Sequence, residues 1–140
     1  MEPLDLSKAP PRSPKAELDG LVMLPRTIDK LRATLPGGNP GPYRIPGFSQ
    51  RMLDAIGVTE DALRQVVADA RDDEDVATWL RAHANTAGYA EYSTMIRNRS
   101  VDDVKDRADL IKRYPILERR PDLYYLADML EADDAEMFPS

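Results

Sequence analysis

Three prolines stand within five positions, Pro10, Pro11 and Pro14, and no other feature of the sequence restricts folding as strongly. Each fixes φ and removes an amide donor, so this stretch can enter neither a helix interior nor a central strand and is expected to run extended along a surface. Its surroundings are basic, with Lys8, Arg12 and Lys15, and a short spacer then leads into Leu24-Pro25-Arg26-Thr27-Ile28-Asp29-Lys30-Leu31-Arg32. The expectation is a rigid basic arm over residues 1–20 feeding a helix, with residues 21–140 as a single helical domain.

Apolar spacing carries the rest. Leu21, Leu24, Ile28, Leu31 and Leu35 recur at three- and four-residue intervals, which predicts a first helix with Pro25 tolerated in its opening turn. That helix must end by Pro36-Gly37-Gly38, and Pro40, Gly41, Pro42 and Pro46 then predict a long loop with Tyr43, Arg44, Ile45 and Phe48 available to pin it. Met52, Leu53 and Ile56 predict a short helix stopped at Gly57. Thr59 caps a helix whose inner face is Leu63, Val66, Val67 and Ala70. The acidic run from Asp72 to Asp75 opens a helix burying Val76, Trp79 and Leu80, with His83 at the edge of the core. Tyr92, Met95 and Ile96 mark another. Ser100 and Asp103 match a capping box ahead of Val101, Val104, Ala108 and Ile111, a helix that Pro115 must stop. Leu123 to Leu126 is strand-like and Leu126 to Leu130 helix-prone, with helix preferred. No paired runs of β-branched alternation are present, so the expected fold class is all-α: a single-domain helical bundle with an extended proline-rich N-terminal arm.

Composition removes whole classes of chemistry. The absence of cysteine excludes disulfides, thiolate catalysis and cysteine-ligated metals, and a single histidine excludes a multi-histidine site within one chain. No nucleotide-binding motif is present, and no cofactor is expected. Acidic residues at Glu2 and Asp5 and the lack of a long apolar run predict a soluble, cytoplasmic protein with no membrane segment. Net charge is −6, but residues 1–48 hold seven Lys/Arg against five acids, net +2, and residues 49–140 hold twelve against twenty, net −8. An acidic body with a basic arm predicts that the arm docks on the body, on a second subunit or on a protein partner.

Arg26, Asp29 and Lys30 fall at i, i+3 and i+4, on a face roughly opposite the leucine stripe. The plainer expectation is a solvated face with an Arg26–Asp29 surface pair. The sharper one is that Arg12 and Arg26 converge at the helix start to bind a phosphate or carboxylate, with Asp29, Lys30 and the loop tyrosine Tyr43 completing the site. The acidic end, Asp128, Glu131, Asp133, Asp134 and Glu136, lacks calcium-loop spacing and reads as a solvated tail with no metal. Between Arg97 and Arg120 the cations are interleaved with Asp102, Asp103, Asp106, Asp109 and Glu118, so nucleic-acid binding is not expected.

The opening L-D-L-x-K-x-P-P-R-S-P, the following L-P-R-x-x-D-K-x-R and the late Asp122-Leu123-Tyr124-Tyr125-Leu126-Ala127-Asp128 resemble a family of small bacterial proteins known only as a domain of unknown function. Near Tyr124 and Tyr125 that family carries a tryptophan–phenylalanine pair. The resemblance implies a shared fold and a bacterial origin, and transfers no catalytic residue. The function expected is a non-catalytic interaction or small-ligand-binding module. The alternative is an enzyme acting on a small phosphate- or carboxylate-bearing metabolite, with Arg12, Arg26 and Lys30 stabilising charge, Asp29 orienting and Tyr43 donating a proton.

Overall fold

The computed structural model describes residues 1–45 and 47–139; Pro46, assigned above to the long loop, lies outside the described residues. Two short strands, β1 (Glu17–Leu18) and β2 (Leu21–Val22), form an antiparallel hairpin with Glu17 opposite Val22. Its turn residues Asp19 and Gly20 both take positive φ, 54° and 82°, the pattern of a type I′ turn. Eight helices follow: α1 (Leu24–Ala33), α2 (Phe48–Ile56), α3 (Glu60–Asp69), α4 (Asp73–His83), α5 (Gly88–Asn98), α6 (Arg107–Arg113), α7 (Ile116–Arg119) and α8 (Leu126–Met137). The described residues are thus mostly helical, as expected, and the hairpin adds a sheet of only two two-residue strands. Two-residue strands are too short to show alternation, and the Asp-Gly pair was their one sequence signal.

The hairpin sits on α5, where the Ser93 hydroxyl accepts from the Val22 amide and donates to the Gly20 carbonyl, each at 3.1 Å. Leu21 therefore belongs to β2, not to the first helix. Met23 turns the chain through a left-handed conformation, φ 79°, and Pro25 occupies the first turn of α1 as expected. α1 packs against the hairpin, α2 and α3; α5 packs on β2, α2 and α8, and α7 on α8. The buried apolar side chains form one cluster running from Leu21 to Leu130.

Several helix starts follow from local chemistry. The Thr59 hydroxyl accepts from the Ala62 amide and the Asp72 carboxylate from the Asp75 amide, each at 3.1 Å. The Ser100–Asp103 capping box forms, but it heads only a 3₁₀ turn, Val101–Asp103; the backbone is extended at Val104, and α6 begins afresh with the Asp106 carboxylate as cap. The same region settles the character of residues 123–130. Ser100 and Tyr125 make an isolated antiparallel bridge, the Val101 amide donating to the Tyr124 carbonyl and the Leu126 amide to the Arg99 carbonyl, and the helix starts immediately after. Trp79 is only partly buried, and His83 is exposed with its ring stacked on Trp79 at 4.3 Å, which corrects its placement at the core edge.

The N-terminal residues are bonded to the helices. The Met1 ammonium donates to the Val67 and Ala70 carbonyls at the C-terminal end of α3, the Leu4 amide to the Arg32 carbonyl, and the Leu6 amide to the Asn39 carbonyl at 2.7 Å. A Cβ at Gly41 would lie 2.5 Å from the Leu6 carbonyl oxygen, so the loop after α1 can meet this segment closely only with glycine there. Among the described residues no helix is long and apolar enough to cross a membrane.

Candidate functional site

α1 is buried on its polar face as well as its apolar one. Arg26 and Asp29 are 2% and 4% exposed, and they do not pair with each other as a surface ion pair. The Arg12 backbone amide donates to Asp29 at 2.8 Å, and its guanidinium donates to both Asp29 oxygens and to Asp73 at the start of α4. Those carboxylates hold the Arg12 guanidinium above its ordinary value, Asp73 contributing most, against the opposing effect of burial. Arg26 makes a two-pronged contact with Asp134 of α8, Nη1 to Oδ2 at 2.7 Å and Nη2 to Oδ1 at 3.1 Å, and its Nη1 also donates to the Arg12 carbonyl. The Tyr43 hydroxyl donates to Asp134 Oδ1 at 2.8 Å, its ring stacks on Phe138, and the Arg26 guanidinium lies 5.5 Å from its centroid. Four of the five sequence-predicted residues, Arg12, Arg26, Asp29 and Tyr43, are therefore joined in one network. The carboxylates that Arg12 and Arg26 hold come from the chain itself. The acidic end likewise is no free tail: Asp134 is buried in this network, and Asp128 and Glu131 pair with Lys15.

Lys30, one turn beyond Arg26, has a different setting. Among the described residues no carboxylate oxygen lies within ion-pair distance of its Nζ. Burial, assisted by the Arg26 charge and opposed by Asp134, lowers its ammonium to about 7. It lines a cavity of about 700 Å³ between α1, the loop after it, α2, α6, α7 and α8.

The charge of that cavity is opposite to that of the chain. α1 contributes Arg26 and Lys30, the loop Arg44, α2 Arg51, and the end of α5 Arg99. Arg113 and Arg119 come from α6 and α7. Seven cations thus face two acids, Asp133 and Glu136 of α8. Arg113 pairs with Asp109 and Arg119 with Glu136, whereas Arg44, Arg51 and Arg99 have no ion-pair partner among the described residues. The Nε of Arg99 is buried with no hydrogen-bond acceptor. Apolar lining comes from Met23, Phe48, Leu110, Tyr114, Ile116 and Leu130. Burial raises the Tyr114 phenol, and burial together with the Asp134 and Glu136 charges raises the Asp133 carboxyl. For Tyr43, burial acts first and its hydrogen bond to Asp134 second, both upward.

Of the residues singled out from sequence, Arg26, Lys30 and Tyr43 line this cavity, while Arg12 and Asp29 stand behind it. Arg44, Arg51, Arg99, Arg113, Arg119 and Tyr114 were not assigned to any site. Three of these arginines, Arg99, Arg113 and Arg119, lie in the stretch where interleaved acids reduced the net charge along the sequence to +3, eight Lys/Arg against five acids. A family model described as Domain of unknown function (DUF5069) matches residues 8–136. No curated protein matches the chain.

Proposed function

We propose that this chain, which belongs to the DUF5069 family of unknown function, is a small-ligand-binding module whose cationic cavity takes an anion with an apolar body. The observation that supports this is the local inversion of charge: seven Lys/Arg against two acids around one cavity in a chain of net charge −6. Collecting like charges in a partly dehydrated space is unfavourable unless an anion occupies it, because repulsion between them is screened less there than at an open surface. Arg44, Arg51, Arg99 and Lys30 supply donors for carboxylate or phosphate oxygens, and Phe48, Tyr114 and Leu130 supply apolar wall for the remainder of the ligand. Arg12 and Asp29 serve as supports that hold Arg26 in place.

Residues 1–20 act as a docked arm on a single helical domain over residues 21–140. The bonds from Met1, Leu4, Leu6 and Arg12 support that assignment, as does the burial of Pro11 and Pro14. A cytoplasmic setting is supported by the absence of cysteine.

Thermal denaturation with phosphate, pyrophosphate and citrate at low ionic strength tests the cavity. An anion present at a hundred times its Kd is expected to add about 2.7 kcal/mol to stability. Arg51→Ala and Arg99→Met should each remove most of that protection, and Arg71→Ala, at an exposed pair with Asp75, should leave it intact. Absence of protection by all three anions, or equal loss in all three variants, would sink the proposal.

A further inference from the structure

We propose that Lys30 is a carbonyl-reactive amine, its Nζ forming a reversible imine with a small aldehyde or ketone whose carboxylate or phosphate is held by the cavity arginines. The inference rests on the anion-binding reading and adds a covalent step to it.

Position separates Lys30 from the other four lysines. Lys15 is held between Asp128 and Glu131, and Lys8 lies by Asp5; Lys105 and Lys112 are exposed. Lys30 alone faces the cavity. The carboxylate whose charge acts on it, Asp134, is already engaged by two donors of Arg26 and by the Tyr43 hydroxyl. An ammonium at Lys30 is therefore short of both water and a free carboxylate, with a guanidinium one turn away. Desolvation and a neighbouring cation are the two conditions that release a lysine lone pair for attack on carbonyl carbon, and the lowering of Lys30 to about 7 is their consequence. The surrounding arginines supply the second requirement, a means of holding an anionic substrate so that its carbonyl reaches the amine.

The step balances without an oxidant or metal. The Nζ lone pair bonds to the carbonyl carbon while the C=O π pair moves to oxygen, which takes a proton. Nitrogen then loses a proton, the hydroxyl group leaves with a further proton as water as the C=N bond forms, and the resulting iminium nitrogen gives up its remaining proton. The net change is amine plus carbonyl to imine plus water. Asp133 and Tyr114 line the same cavity and provide groups that can pass these protons, Asp133 having a carboxyl raised by burial and by its acidic neighbours.

Reductive trapping on the full chain provides the test. Protein at pH 7 is incubated with glyoxylate or glycolaldehyde phosphate plus cyanoborohydride, and labelled lysines are located by peptide mass spectrometry. Lys30 is expected to label roughly tenfold or more faster than Lys15 with both probes, since a larger share of it is neutral. Inorganic phosphate should suppress that labelling, uncharged glycolaldehyde should show weaker preference for Lys30, and Lys30→Met should lose it. Label spread evenly over the lysines, or none at Lys30, overturns the imine proposal. If phosphate, pyrophosphate or citrate nevertheless raises the melting temperature, the anion site stands without it; if none of the three gives protection either, both fall.

Discussion

At Lys30 the physics of burial and the chemistry of the cavity pull stability in a definite direction. Its folded-state value of about 7 lies below the ordinary 10.5, so between those limits the unfolded chain binds a proton that the folded chain does not. Stability therefore rises with pH across that window, and below it the penalty of keeping the ammonium buried is present in full, on the order of 5 kcal/mol. Tyr43 and Tyr114 are raised by burial from an ordinary value of 10, so up to pH 9 they are neutral in both folded and unfolded chains and do not mask the effect. Lys30→Met removes the charge while keeping an unbranched apolar chain. The variant should melt higher than the parent at pH 6, and the gap should narrow steadily towards pH 9. A gap that is constant with pH would mean that Lys30 titrates normally and is solvated.

At the scale of elements, the parts legible in the sequence were those fixed by a few neighbouring residues. Thr59, Asp72 and the Ser100–Asp103 pair act on amides two or three positions away, and Pro25 acts on its own turn, so each could be assigned without the fold. The burial of the polar face of α1 was not legible, because what covers it arrives from residue 12 on one side and residue 134 on the other. The cavity was hidden for the same reason: its arginines come from five helices or helix ends and from the loop after α1, and nothing in their spacing along the chain shows that they meet. The N-terminal segment is the element whose contribution can be measured directly. Deleting residues 1–14 strips Asp29 of its Arg12 partner, removes the buried side chains of Leu6, Pro11 and Pro14 and so uncovers the surface they pack on, and releases the bonds at Val67, Ala70 and Asn39. Because the prolines already restrict the free chain, little ordering entropy is regained on deletion, and the truncated protein should melt several degrees lower. Identical melting curves would show that the segment contributes nothing to the fold.

Over the whole molecule, the Arg26–Asp134 pair ties the first helix to the last, 108 residues apart in sequence, and sets one wall of the cavity. Two opposite charges taken together out of water gain mostly from each other, so the pair is worth far less against a well-packed apolar substitute than against the loss of one partner. Asp134→Ala leaves a buried guanidinium and the Tyr43 hydroxyl without their acceptor, and should cost about 3–5 kcal/mol in urea denaturation. Arg26→Met should cost a similar amount by stranding the carboxylate. Arg26→Met combined with Asp134→Leu leaves neither charge, and should recover to within about 1 kcal/mol of the parent. Lys30 loses both a repelling and an attracting neighbour in the double variant, so its reactivity should change less there than in Asp134→Ala, where the repulsion remains and the attraction is gone. Additive losses in the double variant would mean that Arg26 and Asp134 act through separate contacts, and that the joint between α1 and α8 rests on the apolar packing around them.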